Sequence, residues 1–142
     1  MDLISADTKI KVSSTLDKSV GKNCLVDGSA ETCWTSQEGL PQHIQFRFAS
    51  KVTLERVLLT FQGGFVGTKC AVQALVESER PSWNTLTHVY PEDVNRQQKF
   101  ELDLVSALPD GTDGIRLVFE RSSDFFGRIT IYDLKLQGTI HP

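Results

Sequence analysis

The sequence predicts an all-β protein, an antiparallel β-sandwich or jelly roll of about eight strands. Three observations lead there. Apolar residues recur with period two, the spacing that lines one face of a half-buried strand, and the 3.6-residue period of an amphipathic helix is nearly absent. Two of the apolar runs slip phase by one residue in the middle, as a bulged and bent strand does. Clusters of Gly, Pro and Asp separate the runs.

In chain order, residues 15–20 hold the one pattern compatible with a helical turn. Residues 43–48 set Ile44, Phe46 and Phe48 against His43, Gln45 and Arg47, which makes a half-buried strand. Residues 52–61 carry the inward set Val52, Leu54, Val57, Leu59 and Phe61, with polar Glu55 and Arg56 adjacent; one extra residue there restores the register and bends the strand. Cys70, Val72, Ala74 and Val76 line the next strand. Residues 85–88 have strand character, whereas the stretch opened by Trp83 is less patterned and leaves its indole exposed. Phe100, Leu102 and Leu104 mark another strand, and Ile115, Leu117 and Phe119 the one after. The last run pairs Ile129 and Ile131 with Leu134 and Leu136, the slip falling at Tyr132 and Asp133. Turns fall at Asp27-Gly28, Gly39-Leu40-Pro41, Gly63-Gly64, Pro81, Pro91, Pro109-Asp110-Gly111 and Gly127. Each strand has one apolar face that needs a partner sheet, and bent strands let two sheets pack.

Composition sets the outer bounds. The 142 residues carry 15 basic and 18 acidic side chains, a net charge of −3, and are 39% hydrophobic, so a full core is expected and disorder, collagen and a coiled coil are not. Residues 1–71 hold eight basic against seven acidic side chains and residues 72–142 seven against eleven, so neither half has the basic excess that nucleic-acid binding uses. No apolar run reaches the length of a membrane span. The opening MDLISADTKIKV contains two aspartates by residue 7 and no secretory apolar stretch, so export is not expected. Cys24, Cys33 and Cys70 are an odd number and read as free thiols of a reducing compartment, with Cys33 and Cys70 as small core hydrophobes.

Residues 23–48, NCLVDGSAETCWTSQEGLPQHIQFRF, contain Asp27-Gly28, Thr32-Cys33-Trp34, Gln42 and the alternating strand at 44–48. This block resembles the opening of the discoidin, or coagulation-factor type C, domain of the galactose-binding-like fold. VTLERVLLTFQ resembles that family's next strand. The resemblance implies one discoidin-like domain over residues 1–142, with its core at about 9–138. Secreted members commonly tie the chain ends with a disulfide; here no cysteine lies near either end, which weakens any transfer of their extracellular lipid or collagen binding.

Three further blocks, FQGGF at 61–65, YPED at 90–93 and DFFGRITIY at 124–132, resemble a family of small nuclear-receptor-associated proteins. That likeness implies a nuclear and cytoplasmic protein that binds a protein partner, an orphan nuclear receptor, and represses the transcription it drives. Direct nucleic-acid or membrane binding is not implied.

Two candidate sites follow. Family resemblance implies a structural calcium beside the Asp-Gly turn, held by the Cys24 carbonyl, the Asp27 side chain, the Ser29 carbonyl, the Thr32 hydroxyl and carbonyl, and Tyr132 or Asp133. The competing reading is that Asp27 caps its own turn. No cofactor is required. The second site is a partner surface of Gln62, Gly63, Gly64, Phe65, Phe125, Phe126 and Arg128, because aromatic residues with Arg compose interface hot spots. The competing reading is structural: Phe61 continues the inward face of its strand, at least one of Phe125 and Phe126 plugs the end of the sandwich, and Arg128 merely pairs with Asp124. Trp83 is a further contact candidate, or a stacking platform if the chain is instead a carbohydrate- or small-ligand-binding module. Trp34 reads as a core anchor whose indole N–H needs a partner. His43, His88 and His141 are isolated, and no nucleophile-elbow, metalloprotease or phosphate-loop motif appears, so an enzyme is not expected.

Overall fold

A computed structural model describes residues 1–142. Eight strands form in the order β1 (Lys9–Val12), β2 (Trp34–Thr35), β3 (Gln42–Phe61), β4 (Lys69–Val76), β5 (Ser82–Val89), β6 (Gln97–Glu101), β7 (Thr112–Arg121) and β8 (Thr130–Ile140), with 3₁₀ turns at Lys18–Val20 and Lys22–Leu25. Every pairing is antiparallel.

The organising element is β3. Its first part pairs with β1 and β7 and its second with β8 and β6, with a register shift between Arg47 and Val52. One continuous strand therefore crosses between two layers, β1-β3-β7-β4-β5 and β2-β8-β3-β6. The two runs read as separate strands at 43–48 and 52–61 are joined through the exposed corner at residues 49–51. Both expected bulges are present. Glu55 is the extra residue between Leu54 and Arg56, which face consecutive Gly138 and Gln137; Tyr132 is the extra residue between Ile131 and Asp133, which face consecutive Phe61 and Thr60. These slips keep Val57, Leu59, Leu134 and Leu136 buried.

The core fills the space between the layers. Ile44 and Phe46 from the first part of β3, Leu59 and Phe61 from the second, Val72 from β4 and Leu117 and Phe119 from β7 are all fully buried. Phe61 and Phe119 meet edge to face at 5.8 Å across the layers. Trp34 is fully buried and its Nε1 donates to the Ser14 carbonyl at 3.1 Å. The three cysteines are free; Cys70 is buried, which pushes its thiol pKa far up, and Cys33 is half-buried. β6 ends at Glu101, so Leu102 and Leu104 pack on or in the core from outside the strand, with the Leu102 N–H donating to the Glu55 carbonyl. No helix is long and apolar enough to cross a membrane.

Candidate functional site

Three loops meet at one end of the sandwich. After β3, Gln62 N–H donates to the Thr130 carbonyl, Thr130 N–H to the Phe65 carbonyl and Phe65 N–H to the Gln62 carbonyl, closing a tight turn on the start of β8. Gly64 has φ +90°, a conformation L side chains rarely adopt. The freed amides of this turn are taken by the stretch after β5: Gly63 N–H donates to Asn95 Oδ1, and Gly64 N–H to Asp93 Oδ1 at 2.7 Å.

The loop at 122–128 is organised by Asp124. Its Oδ2 accepts from Arg128 N–H at 3.1 Å and from Arg128 Nε at 3.0 Å, while Arg128 Nη2 reaches Oδ1 at 3.4 Å. Its backbone carbonyl accepts from Gly127 N–H. The Arg128 side-chain hydrogen bond is the chief cause holding the Asp124 carboxyl below the usual carboxylate range, and the same bond raises Arg128. Gly127 has φ +82°, and the Phe126 carbonyl accepts from Gly39 N–H at 2.8 Å, which docks residues 37–41 as the third wall.

On this clamp sits an aromatic surface. The Arg128 guanidinium carbon lies 5.2 Å from the Phe65 ring centre and 5.7 Å from that of Phe126. Phe125 and Phe126 meet edge to face at 5.3 Å. Phe125 is 93% exposed, Phe126 54% and Leu40 43%. Exposed apolar side chains on a hydrogen-bonded, pre-shaped loop match interface anchors.

The structure thus gathers Gln62, Gly63, Gly64, Phe65, Phe125, Phe126 and Arg128 as expected, with Phe61 buried behind them. Neither Phe125 nor Phe126 plugs the sandwich; the turn at Gly127 directs both rings to water. Trp83 does not join them. It lies on β5, half-buried, with the Arg116 guanidinium 4.8 Å from its ring centre, so it is neither exposed nor a free stacking platform. Leu40, Asp93 and Asn95 complete the end without having been singled out; Asp93 falls inside the YPED block, the one signal that could have found it.

At the Asp-Gly turn, Asp27 Oδ1 accepts from Ser29 N–H at 2.9 Å and Oδ2 from the Thr32 hydroxyl, and these bonds, Thr32 first, lower its pKa. The capping reading is therefore what the loop itself builds. Asp133 adds a second carboxyl, raised first by burial and then by the charges of Asp27 and Asp2 against the lowering effect of Lys135. The Tyr132 hydroxyl turns to Gln62 Oε1 at 3.5 Å instead. No group of three or more His, Cys, Asp or Glu side chains gathers to ligate a metal. His88 pairs with Glu120 at 3.0 Å, and His141 Nε2 meets Thr53 Oγ1 at 2.7 Å.

Comparison with known proteins agrees with this architecture. No family model matches the chain. It is 37% identical over 141 residues to the nuclear receptor 2C2-associated protein of Danio rerio, covering 96% of this chain and 94% of that one. The Homo sapiens protein of the same name is 30% identical, covering 96% and 95%. Among solved structures, chitosan-binding module 1 of a Paenibacillus sp. IK-5 chitosanase/glucanase superposes with TM-score 0.75 at 19% identity, covering 97% of this chain and 99% of that one. The family 32 CBM from C. perfringens NanJ, in complex with galactose, superposes with TM-score 0.69 at 15% identity, covering 92% and 93%. At these identities the likeness shows the galactose-binding-like fold alone.

Proposed function

The chain belongs to the family of nuclear receptor 2C2-associated proteins, and on that premise we propose that it is a non-catalytic interaction module whose loop end binds nuclear receptor 2C2. The observation that carries this reading is the pair Phe125-Phe126, held out to solvent by a loop that Asp124, Arg128 and Gly127 fix. Rigid aromatic anchors cost little entropy on binding. The blocks at 61–65, 90–93 and 124–132 meet at this one end. Their role is to occupy a receptor surface that dimerisation or co-activators use, which represses receptor-driven transcription in a protein distributed between nucleus and cytoplasm.

Titration of the purified protein against nuclear receptor 2C2, beside a glycan array, tests this. Saturable receptor binding lost on substituting Phe125 and Phe126 supports it. A clear sugar hit without receptor binding would favour the glycan-binding module instead.

The acidic neighbourhood of Asp27 and Asp133 favours a second, structural reading. The charged form of Asp133, disfavoured first by burial and then by the neighbouring Asp27 charge, would be stabilised by a calcium ion held by the Asp27 and Asp133 carboxylates with the Cys24, Ser29 and Thr32 oxygens. Such an ion stabilises the loop and takes no part in docking.

A further inference from the structure

The outward face of the β1-β3-β7-β4-β5 layer is a separate surface. Its register sets Lys9 beside Arg47, and Lys11 beside Gln45, Arg116 and Gln73 in the adjacent row. Gly114 leaves a flat floor in the Arg47 row: a Cβ there would stand 3.0 Å from Trp83 Cη2 and 3.2 Å from Arg47 Cδ. The indole covers that floor, and the Arg116 guanidinium stacks on it at 4.8 Å. Arg116 Nε donates to Gln73 Oε1 at 2.8 Å, and Gln73 Nε2 in turn to Thr85 Oγ1 at 3.0 Å.

This arrangement fixes a cation without neutralising it. No carboxylate pairs with Arg116, and its terminal amino groups face water, since no buried side-chain nitrogen lacks a partner. Lys9 and Lys11 are exposed on β1. Arg47 meets Glu77 only at 3.5 Å, with both side chains about half exposed, a pair that exchanges readily. A groove of about 480 Å³ runs past Lys9, Lys11, Gln45 and Arg47, with Asp7 as its one acidic wall. In a chain with more acidic than basic side chains, this face sets Lys9, Lys11, Arg47 and Arg116 against Asp7 and Glu77, a net positive cluster.

We propose that this sheet face docks an acidic segment of a partner protein, with one carboxylate taken by the free amino groups of Arg116 and its neighbours by Lys9, Lys11 and Arg47. A guanidinium pre-set on an aromatic face matches a carboxylate in bidentate fashion. From β1 to β7 is two strand spacings, about 10 Å, which suits a few acidic residues and not a long phosphate track. The overall charge of −3 also opposes a nucleic acid. This inference does not rest on the receptor reading, because the two surfaces share no residue.

Fluorescence anisotropy of a labelled polyglutamate peptide against the purified protein tests it. Saturable binding is expected, weakened about tenfold or more by Arg116→Gln and, independently, by Lys9→Gln with Lys11→Gln. Phe125→Ala, and Lys18→Gln with Lys22→Gln outside this face, are expected to leave it unchanged. Trp83 emission shifts on binding, and Trp83→Phe abolishes the shift while buried Trp34 stays silent. Should Arg116→Gln unfold the protein, the exposed lysine pair still decides. Absence of saturable binding, an equal loss in the Lys18 and Lys22 variant, or Arg116-dependent binding of a charge-matched oligothymidylate tighter than that of the peptide would overturn the proposal.

Discussion

Truncating Phe125 to alanine separates docking from folding at the loop end. The ring is 93% exposed. An aromatic side chain presents about 200 Å², so only ~15 Å² is shielded in the free protein, worth ~0.4 kcal/mol at 25 cal/mol per Å². The melting midpoint is therefore expected to move by less than about 2 °C. Burying the rest of the ring against a receptor transfers ~185 Å², an upper limit of ~4–5 kcal/mol, of which aromatic hot spots commonly realise about 2–4. The expected loss of affinity is about 30- to 1,000-fold. Isothermal titration against nuclear receptor 2C2, with scanning calorimetry on the same samples, reads both quantities. Wild-type affinity in the variant would refute the loop end as the docking surface. A midpoint lowered by about 5 °C or more would show that the ring supports the fold.

Gly127→Ala puts a Cβ at φ +82° and 3.1 Å from the Gly39 backbone, so a loss of about 1–2 kcal/mol in denaturant melts is expected together with weaker receptor binding; an unchanged midpoint would refute the clamp. Asp124 has a depressed folded pKa, so its stabilising contribution is present above the unfolded value near 3.9 and is lost as pH falls through the lower folded value. Asp124→Asn is accordingly expected to be less stable near neutral pH and to lose less on acidification below about pH 4, and equal acid sensitivity of the two proteins would contradict this. Calcium at about ten times its Kd is expected to raise the melting midpoint by roughly 3–6 °C, reversibly by chelator; no shift would leave Asp27 as a turn cap alone. Cys70 is expected to resist thiol labelling until the protein unfolds, while half-buried Cys24 and Cys33 label in the native state, as mass spectrometry of the modified chain would show.

The bulges at Glu55 and Tyr132 were legible because a one-residue slip moves every later side chain to the other face, and the apolar pattern records it. Trp34 was legible for the same reason, as an apolar residue in a motif with one polar atom to satisfy. What escaped lies where no face is fully buried. β5 is an edge strand whose alternation is broken at Leu86, the extra residue between Thr85 and Thr87 opposite consecutive Gln73 and Val72, so the stretch after Trp83 reads as irregular. The corner at residues 49–51 is exposed and carries no periodic signal, which hid the continuity of β3. At the loop end, the turn residues and aromatics announced the two blocks, but their meeting depends on Thr130 pairing with both Gln62 and Phe65. The capture of Gly63 and Gly64 by Asn95 and Asp93 joins residues about thirty apart and leaves no local trace.

The sheet-switching strand β3 also sets how this protein must be made. Its partners β6, β7 and β8 follow it in the chain, and the last of them ends at Ile140. At a synthesis rate of about 5–20 residues per second, the roughly 80 residues after Phe61 take about 4–16 s to emerge. Through that interval a twenty-residue strand with Ile44, Phe46, Val57 and Leu59 on its inner side has only the four residues of β1 to pair with. Until β7 and β8 emerge, the ribosome-bound chain exposes an unpaired edge that can template edge-to-edge aggregation.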